Sequence, residues 1–323
     1  SVIAALNAVK AGYQVAIMAP TEILANQHYK YIINNFKKYC NSEILTGKTE
    51  YRQRKKILND LLNKKIDVLI GTHALFQNKI TYNNLGLIII DEQHKFGVNQ
   101  RKKLSDKGGN NCDVLVMSAT PIPRTMMMTI YGDMDISLIK SKPKNRKPIK
   151  TYSKNETKID EVIKFIKSEI LKKNQIFWVC PLIKESQKID HQSAIEKYKY
   201  LSKILKYNVD IIHGSMNKDE RENVLNKFKE KKIDILVSTT VIEVGIDFPN
   251  ANVIVIENSN KYGLSQLHQL RGRVGRGERE ASCILLFKAG LSENARKRIT
   301  ILKNTNDGFK VAEEDLKIRG YGD

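Results

Sequence analysis

Cysteine is scarce in this sequence and scattered where it occurs. Cys40, Cys112, Cys180 and Cys283 have neither the spacing of a zinc site nor the density of a disulfide scaffold. Free buried thiols in a reducing compartment are the expected state. No apolar run approaches the roughly 20 residues that span a bilayer, so no membrane role is expected. No charged and then apolar leader opens the chain, although a first residue other than methionine takes the weight from that absence. No internal repeat or low-complexity segment stands out. Also missing is any Gly-x-x-x-x-Gly-Lys-[Ser/Thr] string, whose backbone N–H groups and lysine cradle phosphates. The sole Gly-Lys-Thr, Gly47-Lys48-Thr49, has Ser42 where the first glycine belongs, and it reads as a loop ahead of a helix over 51–62. Acidic residues are the last shortage: 35 Asp and Glu face 55 Lys and Arg, a formal net charge of +20. That balance suits a partner with a phosphate backbone, which gives up counterions as cations replace them. Lysine is spread along the whole chain, however, as codon bias in an AT-rich genome would also produce, and clusters such as 141–150 are ordinarily solvated.

What is present begins with LGLIII (85–90), an apolar run that ends abruptly in Asp91-Glu92. A continuous run, as opposed to an alternating one, reads as a central strand covered by helices on both faces. In such sheets ligands sit at the C-terminal ends of the strands. One carboxylate there can hold Mg²⁺ and a second can orient or deprotonate an attacking water, which a nucleotide hydrolase requires. Ordinary loop or helix-cap material would look the same over so short a motif. Two further strings follow in order: DVLVMSATPIPRT (113–125), an apolar run ending in Ser118-Ala119-Thr120, and QLHQLRGRVGRG (266–277), three arginines among glycines.

Asp-Glu-x-His, Ser-Ala-Thr and Gln-x-x-Gly-Arg-x-x-Arg, in that order, resemble motifs II, III and VI of superfamily 2 helicases. The wording of DEQHKFGVNQR, SATPIPRT, STTVIEVGIDFPNA (238–251) and YGLSQLHQLRGRVGRG (262–277) is closer still to the RecG branch, the bacterial branch-migrating DNA helicases, and the resemblance covers essentially the whole chain. The neighbouring family of transcription-repair coupling factors has a second acidic residue where this chain has Gln93, which favours RecG. In such proteins a P-loop precedes motif Ia. The opening SVIAALNAVKAG resembles the helix that follows that loop, so the loop is expected just upstream, together with an N-terminal wedge domain, and residues 1–323 alone are expected to be inactive.

The expected fold class is α/β, two RecA-like lobes with parallel sheets flanked by helices and followed by a C-terminal helical hairpin. YQVAIMA, IDVLI, LGLIII and DVLVM supply strands to a first lobe at 1–140, and 141–152, polar and proline-containing, reads as a linker. QIFWVC, VDIIHG, DILVSTT, NVIVIEN and SCILLF supply a second lobe at 153–290. NKDERENVLNKFKE is a helix that Asn217 can cap, with Val224, Leu225 and Phe228 on its apolar face. From 291 to 323 the pattern is helical and resembles the start of the hairpin with which RecG couples translocation to its lobes.

The resemblance assigns roles residue by residue. Asp91 is the Mg²⁺ carboxylate, acting through water, and Glu92 the base. Arg273 and Arg276 match the family's finger positions, an arginine finger being worth about 10³ to 10⁵ in rate, and Gln269 matches its phosphate-sensing glutamine. Gly272, Gly275 and Gly277 let the backbone approach a partner closely; Arg271 is a weaker candidate. Gly245 and Asp247 match the nucleotide-facing motif V. Ser118, Ala119 and Thr120, with His94, relay nucleotide state. Thr21, Thr72, Thr239 and Thr240 match DNA-backbone contacts, which position without reading sequence, while each hydroxyl by itself could equally cap a helix. Trp178 within its apolar strand, and Met126, Met127 and Met128, read as core. The implied protein is an ATP- and Mg²⁺-dependent helicase or translocase that remodels branched duplex DNA, forks and Holliday junctions, in recombination and repair. It would be a monomer, cytoplasmic and nucleoid-associated in a bacterium. A coupling-factor-like translocase or a non-catalytic basic nucleic-acid-binding module are the alternatives.

Overall fold

The structure, a computed structural model, describes residues 1–77, 79–92, 112–118, 135–139, 141, 146–181, 187–239 and 248–319. Gln93, His94, Ala119, Thr120, Met126, Met127, Met128, Thr240, Gly245 and Asp247 lie outside the described residues. The described residues fall into two compact units, those up to 118 in the first and those from 135 onward in the second.

The first unit is a five-stranded parallel sheet of β1 (Gln14–Met18), β2 (Ser42–Leu45), β3 (Val68–Gly71), β4 (Leu85–Ile90) and β5 (Asp113–Val116), in the order β2-β3-β1-β4-β5. Crossovers run through α1 (Val2–Lys10), α2 (Glu22–Phe36) and α3 (Tyr51–Leu62). The unbroken apolar character of β4 follows from burial on both faces: Ile88 and Ile90 pack with Ile57 and Leu61 of α3, while Leu87 and Ile89 pack with Ala5 of α1 and Leu24, Ala25 and Ile32 of α2. Strand β2 was not expected. Its sequence SEIL holds two apolar residues and runs straight into the Gly47 turn, so no periodic signal marks it.

The second unit has six parallel strands, β6 (Ile149–Asn155), β7 (Gln175–Val179), β8 (Val209–Ile212), β9 (Ile235–Ser238), β10 (Ala251–Ile256) and β11 (Ala281–Phe287), in the order β6-β11-β10-β7-β9-β8. Its helices are α4 (Ile159–Leu171), α5 (Gln187–Ile204), α6 (Lys218–Lys229), α7 (Leu264–Arg271), α8 (Glu293–Asn304) and α9 (Gly308–Arg319). Strand β6 corrects the expected linker at 141–152, whose last four residues pair in register with β11 from Ile149↔Ala281 onward. IKTYSKN escaped notice because an edge strand is polar, and Pro148 stands just ahead of it where no ladder hydrogen bond is needed. Trp178 is fully buried among Ile235, Val237, Val253 and Ile284 as expected. Helix α6 begins at a complete capping box: Glu220 N–H donates to Asn217 Oδ1 at 2.8 Å, and Asn217 N–H to Glu220 Oε2 at 3.1 Å. Helix α8 packs on β6 and α7, and α9 on α7, so the C-terminal pair is part of this unit's body. Among the described residues no helix is long and apolar enough to cross a membrane.

The units share a local pattern that corrects the expectation of no internal repeat. NKKIDVLIGT (63–72) and EKKIDILVST (230–239) occupy the same place in the two folds. Lys64 and Lys231 turn through φ 56° and 61° after α3 and α6. Asp67 and Asp234 accept from the N–H of Asn41 and Asn208. Gln14, opening β1, donates to Leu61 O and Ile66 O at 2.7 and 2.9 Å, while Gln175, opening β7, donates to Phe228 O and Ile233 O, both at 2.7 Å. The repeat is confined to residues that fasten a helix end to a strand start.

Candidate functional site

In the first unit the predicted residues gather because every strand points the same way. Thr21 follows β1, Thr72 follows β3, Asp91 and Glu92 follow β4, and Ser118 follows β5, all on the C-terminal rim of one parallel sheet. Asp91 is pinned by its own N–H, which donates to Met18 O at 2.9 Å. Its carboxylate oxygen Oδ2 accepts from His28 Nε2 at 3.0 Å. Glu92 stands in the left-handed region at φ 51°, a conformation that costs a non-glycine residue about 1–3 kcal/mol and clusters at functional sites.

Thr21 caps α2, its Oγ1 accepting from Leu24 N–H at 3.3 Å, so the ordinary capping role is present whatever else the hydroxyl does. Thr72 is buried and opens a short turn, His73–Phe76, without a side-chain cap bond. A cleft of about 170 Å³ joins Pro20, Glu22, Gly47, Thr72, His73 and Gln77 on this rim. The Gly47 turn thus lies beside Thr72 and the start of α2. Ser118 is exposed past β5.

In the second unit Thr239 is buried just past β9. Helix α7 carries Gln269, partly buried, and ends at Arg271, after which the chain passes Arg273, partly buried, and Arg276, exposed, whose Nε donates to Gly272 O at 3.4 Å. Arg271 is not a companion of these two. It is 2 % exposed, and its guanidinium donates to Leu302 O at 2.6 Å, Thr305 O at 2.8 Å and Thr151 Oγ1 at 3.3 Å, with His268 Nδ1 at 3.0 Å. Burial draws it below the usual guanidinium range. Arg271 therefore ties α7 to the end of α8 and to β6. The glycines also serve the fold. Gly275 has φ 69°, and a Cβ at Gly277 would come 2.7 Å from Pro249 O, so the close partner of this loop is its own unit.

Cys40, Cys180 and Cys283 are buried free thiols as expected, whereas Cys112 is partly exposed. Burial pushes the Cys283 thiol up to about 12. Among the described residues no group of three or more His, Cys, Asp or Glu side chains could hold a metal. His28 carries no signal in the sequence: it stands in the APTEILANQH string, but nothing there points to a partner 63 positions away.

The DEAD/DEAH box helicase family matches residues 1–129, and the helicase conserved C-terminal domain matches residues 157–278. The chain is 47% identical over 324 residues to the ATP-dependent DNA helicase RecG of Bacillus subtilis, covering 99% of this chain and 47% of that protein. The Thermotoga maritima RecG is 48% identical, with 99% and 41% covered. The chain is similar to a RecG-type helicase core. It spans about half the length of the curated RecG relatives it matches. A solved structure of RecG bound to a three-way DNA junction superimposes with a TM-score of 0.81 at 45% identity, over 99% of this chain and 42% of that one. Yeast Dbp5 bound to RNA and ADP BeF3 shares the fold alone, with a TM-score of 0.65 at 18% identity. The expected architecture is the one found in this chain: two RecA-like lobes of parallel sheet flanked by helices, followed by the helical pair α8 and α9.

Proposed function

We propose that the protein bearing this RecG-type core is an ATP-dependent DNA helicase and translocase that remodels branched duplex DNA in recombination and repair. Forks and Holliday junctions are its substrates, and it acts as a monomer in the bacterial cytoplasm, associated with the nucleoid. The observation that carries the reading is Asp91 and Glu92 side by side at the end of β4, the first fixed by His28 and the second held at φ 51°.

Asp91 fits a Mg²⁺ ion. His28 occupies Oδ2, and among the described residues no hydrogen bond reaches Oδ1, which leaves one hard oxygen donor. That single carboxylate, with no wider cluster around it among the described residues, suits an ion that keeps several waters and takes its remaining ligands from phosphates. Asp91 would hold the ion, which would supply neutralisation of the negative charge on the nucleotide phosphates. Glu92 orients and deprotonates the attacking water. Gln269 senses the γ-phosphate, Arg273 and Arg276 stabilise the charge that develops on it, and Gly245 and Asp247 flank the nucleotide. His94, Ser118, Ala119 and Thr120 pass nucleotide state between lobes, while Thr21, Thr72, Thr239 and Thr240 hold the DNA backbone. The first lobe comprises 1–140. The second runs to 290, with the hairpin from 291, and the pairing of β6 with β11 supports a start ahead of the expected 153.

Residues 1–323 by themselves contain no Gly-x-x-x-x-Gly-Lys-[Ser/Thr] string, and for that reason they turn over ATP slowly or not at all. In the full-length protein, Arg273→Ala and Arg276→Ala should each keep nucleotide binding and lower turnover on forked DNA by about 10³-fold or more. Turnover within tenfold of the parent in both variants would remove the finger assignment.

A further inference from the structure

The Asp91 carboxylate is gripped by a side chain to which none of the roles above gives a task. His28 Nε2 donates to Asp91 Oδ2 at 3.0 Å, and the two side chains are 27% and 20% exposed. Both ends of this contact are rigid. His28 rides on α2, whose Leu24, Ala25 and Ile32 are buried against the sheet, and Asp91 is tied by its N–H to Met18 O. With the backbone fixed, the freedom left to the carboxylate is rotation about its side-chain bonds, and a hydrogen bond to one oxygen removes it. Oδ1 is then presented at the rim while Oδ2 is turned back against the helix.

We propose that His28 is a positioning residue for the metal-binding carboxylate: by holding Oδ2 it fixes the direction of Oδ1 and so sets the affinity of the site for a divalent cation. The proposal rests on the reading of Asp91 as the Mg²⁺ residue. Partners that hold a liganding carboxylate from outside the coordination sphere are worth about 10- to 100-fold in metal affinity or activity. The bond needs a donor at this place, whether imidazole or amide, because an ionised carboxylate can only accept.

The test uses the full-length protein with Mn²⁺ as the probe, titrated in the presence of a non-hydrolysable ATP analogue and followed by electron paramagnetic resonance. Mg²⁺ dependence of DNA-stimulated turnover is measured alongside. His28→Ala should raise the Mn²⁺ Kd about 10- to 100-fold, with turnover returning to within a few-fold of the parent at saturating Mg²⁺. His28→Gln, whose amide can donate, should recover most of the affinity. If His28→Ala binds Mn²⁺ within twofold of the parent while Asp91→Asn binds it weakly, the positioning role is wrong and the Asp91 reading stands. If Asp91→Asn itself leaves Mn²⁺ affinity unchanged, both fall. Equal impairment in the Ala and Gln variants would mean lost packing in place of lost donation, and would also overturn the proposal.

Discussion

Replacing Arg271 with methionine should destabilise the second lobe by about 3 kcal/mol. The guanidinium is buried and donates to two main-chain carbonyls, Leu302 O at 2.6 Å and Thr305 O at 2.8 Å, and to Thr151 Oγ1. A hydrogen bond from a charged donor is worth about 1.5–3 kcal/mol net, and each buried carbonyl left without a donor costs about 1–3 kcal/mol. Methionine fills much of the volume, so the loss lies in those unsatisfied carbonyls and not in a cavity. Both carbonyls sit at the C-terminal end of α8, where fraying can admit water, which keeps the expected figure near the low end of the sum. At about 2–4 °C per kcal/mol for a lobe of this size, the transition should fall by roughly 6–12 °C. The assay has a built-in reporter: Trp178 is the sole tryptophan and lies in the second lobe's core, so its fluorescence follows that lobe alone. A midpoint within about 2 °C of the parent would refute the view that Arg271 fastens α7 to α8.

Two further outcomes are expected. Asn217→Ala removes the acceptor of the α6 capping box and should cost about 1 kcal/mol in chemical denaturation followed at Trp178, with Asn217→Asp close to neutral. Gly277→Ala places a Cβ 2.7 Å from Pro249 O, a main-chain atom that cannot swing aside. It should lower the thermal midpoint of the second lobe, and if Gly277 instead faces a ligand the midpoint will stay put while turnover falls.

How much of this was legible in the sequence depended on whether a residue's environment is periodic. β4 announced itself because burial on both faces demands an unbroken apolar run, and Asp91 and Glu92 were found as the point where that run breaks. β2 and β6 were silent because an edge or half-covered strand needs few apolar residues. The repeat between the lobes survives in a ten-residue string and in single anchoring residues such as Gln14 and Gln175, too sparse to read without their hydrogen bonds. In RGRVGR nothing distinguishes an inward arginine from an outward one. The chain direction after α7 decides it, sending Arg271 into the body of the lobe and leaving Arg276 exposed. His28 has no pattern of its own, since its partner is brought near by the pairing of β1 with β4.

The central claim, that the carboxylates ending β4 drive DNA-dependent ATP hydrolysis, is tested most directly by ATP turnover of the full-length protein on forked DNA beside its Glu92→Gln variant. Robust DNA-stimulated turnover is expected in the parent and its abolition by that single substitution, with nucleotide and DNA binding retained. Turnover unchanged by Glu92→Gln, or salt-sensitive DNA binding without any turnover in the parent, would contradict it.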